Sequence, residues 1–211
     1  DSNGDEIFIG LSPSLNRSSD FKFSLGGPSL GDKVTFFTNL RQQTIEGHLN
    51  GFRIFTVTDS SDFYSDNPDE WTSSKSGDST YVPMNTTDNV SALLKVGFNL
   101  FKGIRFSLLN SYSDDTWYWY DHSMKYNPDG RVGSHKKTLY TAFQMNHMIT
   151  PKLFYELKLA IMKNNTGTYL FEDSLDTRYV HDKYMENYGS GFFTGGQQKE
   201  HTKHRDLDQT V

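Results

Sequence analysis

The stretch NVSALLKVGFNL, residues 89–100, alternates polar and apolar residues over its whole length with Leu93 as the one exception. Successive side chains of a β-strand leave opposite faces, so alternation of period two predicts a strand with chemically different sides, and no helix fits it. Val90, Ala92, Leu94, Val96, Phe98 and Leu100 share one face, and Asn89, Ser91, Lys95, Gly97 and Asn99 share the other. Ordinary strands run about five or six residues. A tilted strand that crosses a hydrocarbon layer takes about nine to eleven. The stretch is long enough for the second, which leaves two arrangements: one face on a protein core with the other in bulk water, or one face in lipid with the other in a polar lumen.

Outward from this strand the same pattern recurs. DFKFSL (20–25) puts Phe21, Phe23 and Leu25 on one face, and GGPSLGDK (26–33) is expected to turn the chain. KVTFFTNLRQQ (33–43) sets Val34, Phe36, Thr38 and Leu40 against Thr35, Asn39 and Arg41. A polar stretch follows at about 57–86. After the opening strand, FKG (101–103) is a tight turn into IRFSLLNSYS (104–113), with Ile104, Phe106, Leu108 and Tyr112 on one face. A polar loop then carries the turn signal NPDG at 127–130. TLYTAFQMNHMI (138–149) and LFYELKLAIM (153–162) form a last pair around TPK. Beyond about residue 166 the sequence reads as loop, and no amphipathic helix stands out.

Composition is compatible with both arrangements. The 211 residues are 35% hydrophobic with a formal net charge of -5. The mean hydropathy of -0.66, with no run of about 18 apolar residues, excludes a helical membrane protein. It leaves a membrane β-barrel open, because barrel strands are half polar and their loops long. The acidic balance without a basic cluster argues against nucleic acid as a partner. With no cysteine there is no disulfide framework and no thiolate metal site. Twelve Tyr, sixteen Phe and three Trp suit β structure and membrane interfaces alike.

Connection lengths and charge favour the membrane. Short turns at one end and long excursions at the other describe an outer-membrane barrel, whereas a sandwich spreads loops over both ends. Lys95, Arg105, Glu156 and Lys158 lie in mid-strand on the polar faces, and the opposite faces carry no charge there. The expected fold is therefore all-β: a segment of an antiparallel transmembrane β-barrel, incomplete at about six strands. WYWY at 117–120 sits where a strand would leave the bilayer.

SLGGPSLGDKVTFFTNLRQQTIEGHLNG (24–51) resembles the first barrel hairpin of TonB-dependent outer-membrane transporters, in the group with an extra carboxypeptidase-regulatory-like domain. Gly26, Gly27 and Pro28 match its Gly-Gly-Pro turn, and Phe36 and Phe37 the aromatic pair that follows. RYVHDKYMENYGSGFFTGGQQKEHT (178–202) resembles a long extracellular loop of some members. The resemblance implies that residues 1–211 are one partial barrel domain, without the TonB box, the plug domain or most of the twenty-two family strands. It further implies a Gram-negative outer membrane, lipid around the barrel, an inner-membrane energy source acting through TonB and the plug, and a large scarce nutrient as ligand: a siderophore, a glycan or a peptide.

No residue pattern points to catalysis or to a cofactor. His201 and His204, between Glu200 and Asp206, read as a solvated loop rather than a metal site. GSGFFTGG (189–196) lacks dinucleotide and Walker spacing, so its glycines read as turn residues. DSSDFYSDNPDE (59–70) has carboxylates enough for calcium without EF-hand spacing. Asn-x-Ser/Thr triplets at Asn16, Asn85, Asn89 and Asn164 read as chance in a Ser/Thr-rich chain. The nominated ligand contacts are Trp71, Trp117 and Trp119, whose rings could stack on a sugar or chelate, with girdle packing as the competing account of the last two. Besides active transport, two classes stay open: a passive channel or adhesive outer-membrane protein, and a soluble β-rich carbohydrate-binding protein.

Overall fold

A computed structural model describes residues 17–29, 31–185 and 191–210. The triplet at Asn16, and Gly189 and Ser190 of the glycine-rich loop, lie outside them, as does the side chain of Leu100. Among the described residues eleven strands run in chain order: β1 (Ser18–Ser29), β2 (Val34–Glu46), β3 (Asn50–Phe52), β4 (Ser61–Asp62), β5 (Thr72–Ser73), β6 (Tyr81–Pro83), β7 (Thr86–Phe101), β8 (Ile104–Tyr118), β9 (Gly133–Thr150), β10 (Leu153–Tyr169) and β11 (Thr202–Thr210). The helical pieces among the described residues are 3-10 turns of three or four residues, and no helix is long and apolar enough to cross a membrane.

Seven strands form one antiparallel sheet in the order β1-β2-β7-β8-β9-β10-β11, while β3 pairs with β6 and β4 with β5 in small ribbons. The sheet does not close: β1 and β11 are its two edges. Its central strands are long, with 16 residues in β7 and 18 in β9. At about 3.4 Å per residue the first is about 54 Å from end to end.

The register carries one facing pattern through all seven strands. One cross-strand row reads Leu25, Thr38, Leu94, Asn110, Thr141, Ile161, Gln209, and the next towards the caps reads Phe23, Leu40, Ala92, Tyr112, Leu139, Lys163, Leu207. A row on the opposite face reads Lys22, Arg41, Ser91, Ser113, Thr138, Asn164, Asp206. The apolar face is open: Phe23, Leu40, Leu94, Leu139, Ile161 and Leu207 are all exposed. Among the described residues nothing covers it. On the other face polar groups pair across strands, as in the two-pronged bond from Arg41 to Asp20 at 2.9 Å and the Gln144 amide on Glu156 at 2.7 Å.

Among the described residues, the short connections between β1 and β2, β7 and β8, and β9 and β10 lie at one end of the sheet, and the segments 47–85, 119–132, 170–185 and 191–201 at the other. Gly103 takes a left-handed φ of 79° in its tight turn, a conformation that suits glycine. The described parts of the three long segments fold into a cap, and of the buried apolar side chains, Phe55, Met84 and Met124 belong to it, while Tyr169 closes the cap end of β10.

Three expectations are corrected. Gly26 to Ser29 continue β1, and a 3-10 turn spans Gly31–Lys33. Among the described residues β1 is an edge strand, a place where proline occurs in sheets. Gly26 faces Phe37, whose ring lies 3.1 Å from where a Cβ would stand. Residues beyond 166 are not all loop: β10 runs to Tyr169, and β11 pairs Thr202 to Thr210 against it, which fixes His204 opposite Thr166. Charged residues in KHRDLD masked that strand's alternation. The sheet therefore has seven strands rather than six.

Candidate functional site at the cap

The cap is knitted by hydrogen bonds between segments far apart in sequence. The Phe52 amide donates to the Lys125 carbonyl at 2.8 Å, Gly196 to Val57 at 2.9 Å, Phe193 to Ser123 at 2.8 Å and Gln198 to Gly130 at 2.6 Å. Gly195 packs directly on the Asp59 carbonyl, leaving no room for a Cβ. The glycines of the FFTGG run thus serve close approach of two loops. No cradle for a phosphate is needed to explain them.

Three polar side chains hold this arrangement. Buried Asp59 accepts from the Thr56 and Ser76 amides at 2.8 and 2.9 Å and from the Ser74 and Ser76 hydroxyls at 3.1 and 3.0 Å. Burial alone would push its carboxyl up, but those four bonds outweigh it and hold the carboxyl below its usual value. Arg53 grips Asp129 with two nitrogens at 2.6 and 3.1 Å and reaches Asp78 at 2.9 Å, and these partners raise its pKa. Arg131 is buried, donates to the carbonyls of Met84, Trp119 and Pro83, and lies 5.1 Å from the centre of the Tyr118 ring. Burial lowers its pKa.

Where cap meets sheet, two clefts share the walls Trp117 and Trp119. One, of about 450 Å³, also touches Tyr120, His122, Arg131 and Glu200. The other, of about 320 Å³, also touches Asn85, Asp115 and Lys136. β8 ends at Tyr118, so Trp117 still belongs to the ladder, opposite Thr87 and Ser134 and in line with Asp115 on the charged face. A girdle ring belongs on the apolar face, so the register removes the girdle account for Trp117. Trp119 stands beyond the strand with 69% of its surface exposed. Its neighbours offer hydrogen bonds: Asp121 accepts from the Gln198 side chain at 2.7 Å, and the Tyr120 hydroxyl lies 2.8 Å from His122 Nδ1. Flat rings beside such groups can stack on a ring and bind its hydroxyls or carboxylates.

Trp71 is not part of this site. Its ring meets Phe63 edge-on at 5.5 Å, and its Nε1 donates to the Ser65 carbonyl at 2.7 Å, so it ties its own loop together. His201 and His204 separate likewise. His201 stacks on Tyr169 at 5.6 Å, while His204 is held in β11. Among the described residues no three His, Asp or Glu side chains gather to hold a metal ion, in the acidic stretch or elsewhere. Sequence reasoning missed Arg131, His122 and Gln198, whose places depend on pairings between loops that no local pattern announces. Comparison with protein-family models, curated proteins and solved structures finds no match.

Proposed function

We propose that the chain is part of the wall and outer cap of a Gram-negative outer-membrane β-barrel, of the TonB-dependent kind that its first hairpin resembles, and that it serves uptake of a scarce nutrient. The apolar face meets lipid, the charged face lines the lumen, and the cap faces the outside, where the Trp117 and Trp119 clefts receive ligand. Energy would reach the ligand through a plug and TonB, and the proposal assigns neither to this chain.

The observation that carries this reading is the facing pattern kept across seven strands. An apolar sheet face left open is a surface for lipid or for another protein. Its height favours lipid: counted from the short turns, the uncharged stretch of that face runs Ile104–Tyr112 on β8 and Leu153–Ile161 on β10, nine residues each. A tilted strand needs about nine to eleven to cross the hydrocarbon.

Single-cysteine labelling tests it, since the chain has no cysteine of its own. In the full-length protein reconstituted in vesicles, Cys in place of Ser91 or Lys95 should react with a polar maleimide. Cys in place of Leu94, Val96 or Phe98 should react with a lipid-partitioning probe. A thiolate forms where water solvates it, so the contrast follows the faces. Alternating reactivity without contrast between the two probes would keep the strand and reject the membrane.

A further inference from the structure

Above its apolar band the same sheet face turns basic on the three strands nearest the β11 edge. The row Asp114, Lys137, Asn165, Arg205 is followed by Thr116, His135, Gly167, Lys203. Just below stands Lys163, between Leu139 and Leu207. Because Gly167 has no side chain, its row opens a notch of about 390 Å³ walled by His135, Lys137, Tyr169, Lys203 and Arg205. Tyr169 lies over the glycine, stacked on His135 at 4.2 Å, with the Lys203 ammonium 5.5 Å from its ring centre. Present partners engage the cations in part: Lys137 stands 3.7 Å from Asp114, Lys203 donates to the Glu172 carbonyl, and Arg205 donates to Asn165 at 3.2 Å. Lys137, Lys163, Lys203 and Arg205 outnumber the nearby carboxylates of Asp114 and Glu172. The patch is net positive on a face otherwise without charge in its band.

We propose that this notch binds the phosphate of a lipid headgroup in the leaflet nearest the cap, an inference that rests on the lipid-facing reading of the sheet. Height locates it: Ile161 is the ninth residue of β10 and Lys163 the eleventh, so the cations begin where the hydrocarbon ends. Long basic stems reach from apolar surroundings to headgroup level, and tyrosine rings favour the same depth. Leu139, Ile161 and Leu207 directly beneath give acyl chains a wall. A free anion has no use for that wall, and a transported ligand would pass on the other face.

The test is lipid capture by the full-length protein in phosphatidylcholine nanodiscs doped with phosphatidic acid or with diacylglycerol, which differ only by the phosphate, read by native mass spectrometry. The expected result is enrichment of phosphatidic acid over diacylglycerol. The combined Lys137→Gln, Lys203→Gln, Arg205→Gln variant should lose about a hundredfold in that preference, and Lys203→Gln alone about fivefold, should the triple variant fold poorly. Equal capture of the two lipids by the unaltered protein would overturn the proposal while leaving the membrane reading intact. Displacement of phosphatidic acid by inorganic phosphate at equal concentration would overturn the lipid as the source of the phosphate. Failure to enter phosphatidylcholine nanodiscs would reject the lipid-facing reading, and this inference with it.

Discussion

Leu94 and Lys95 are chain neighbours on opposite faces, opposite Thr38 and Phe37 respectively in the ladder to β2. If one face is lipid, Phe98→Arg should cost about 2–4 kcal/mol of folding into a bilayer, because Phe98 lies in one row with Leu157 in the middle of the uncharged stretch, where an Arg is poorly solvated. Leu94→Arg, level with Ile161 at the edge of that stretch, should cost about 1 kcal/mol or less. Lys95→Arg should fold with unchanged yield, measured by the heat-modified gel shift of the refolded protein. In the cap, Asp59 predicts a pH dependence. Its carboxyl is held below the unfolded value of about 3.9, so its stabilisation is present above that pH and is lost as pH falls through the folded value. Asp59→Asn should remove this acid-sensitive part and cost about 2 kcal/mol at neutral pH, read from cap unfolding by near-ultraviolet circular dichroism at pH 7 and pH 3. If the proposed uptake holds, Trp119→Ala should reduce it about tenfold at unchanged surface level, as loss of a stacked ring does. Trp71→Ala should leave uptake alone, since that ring serves Phe63 and Ser65.

The strands were legible where alternation was clean, and they stopped being legible where function or position disturbed it. β7, β8, β9 and β10 each contain the apolar alternation that marks them, although all four run several residues past it towards the cap. Apart from Trp117, Tyr118 and Tyr169 those extensions are polar on both faces, so period two says nothing there. β11 escaped notice for the same reason, with Leu207 its one large apolar residue. Gly26 and Pro28 looked like a turn because glycine and proline usually punctuate a chain, whereas here both continue β1, and Gly26 makes room for Phe37. Of the site, the tryptophans could be nominated from residue type, but the separation of Trp71 from Trp117 and Trp119 follows from loop pairing. The cap as an element has its own test. Gly195→Ala should part the 170–201 segment from the Asp59 loop, speeding amide hydrogen exchange in 47–85 and 119–132 while the β7–β8 hairpin exchanges as before.

At the scale of the molecule, seven paired strands leave two edges and one open apolar face. Backbone groups at such edges find no partners in lipid, and in water they template association. The 211-residue chain expressed alone should therefore aggregate or require detergent, and conduct no ions in a planar bilayer. A monomer that melts cooperatively in plain buffer would defeat the membrane reading. The placement of short turns at one end and long segments at the other also bears on the order of assembly. β1 with β2, β7 with β8, and β9 with β10 meet across turns of a few residues. Joining β2 to β7 must first close the segment 47–85, an added entropic cost of roughly 2–3 kcal/mol over a tight turn. Pairings that close short loops form sooner. The three hairpins should thus appear as separate early units in pulsed hydrogen exchange, with the β2–β7 and β10–β11 seams protected last, so that the cap segments act as slow stitches between fast-forming pieces.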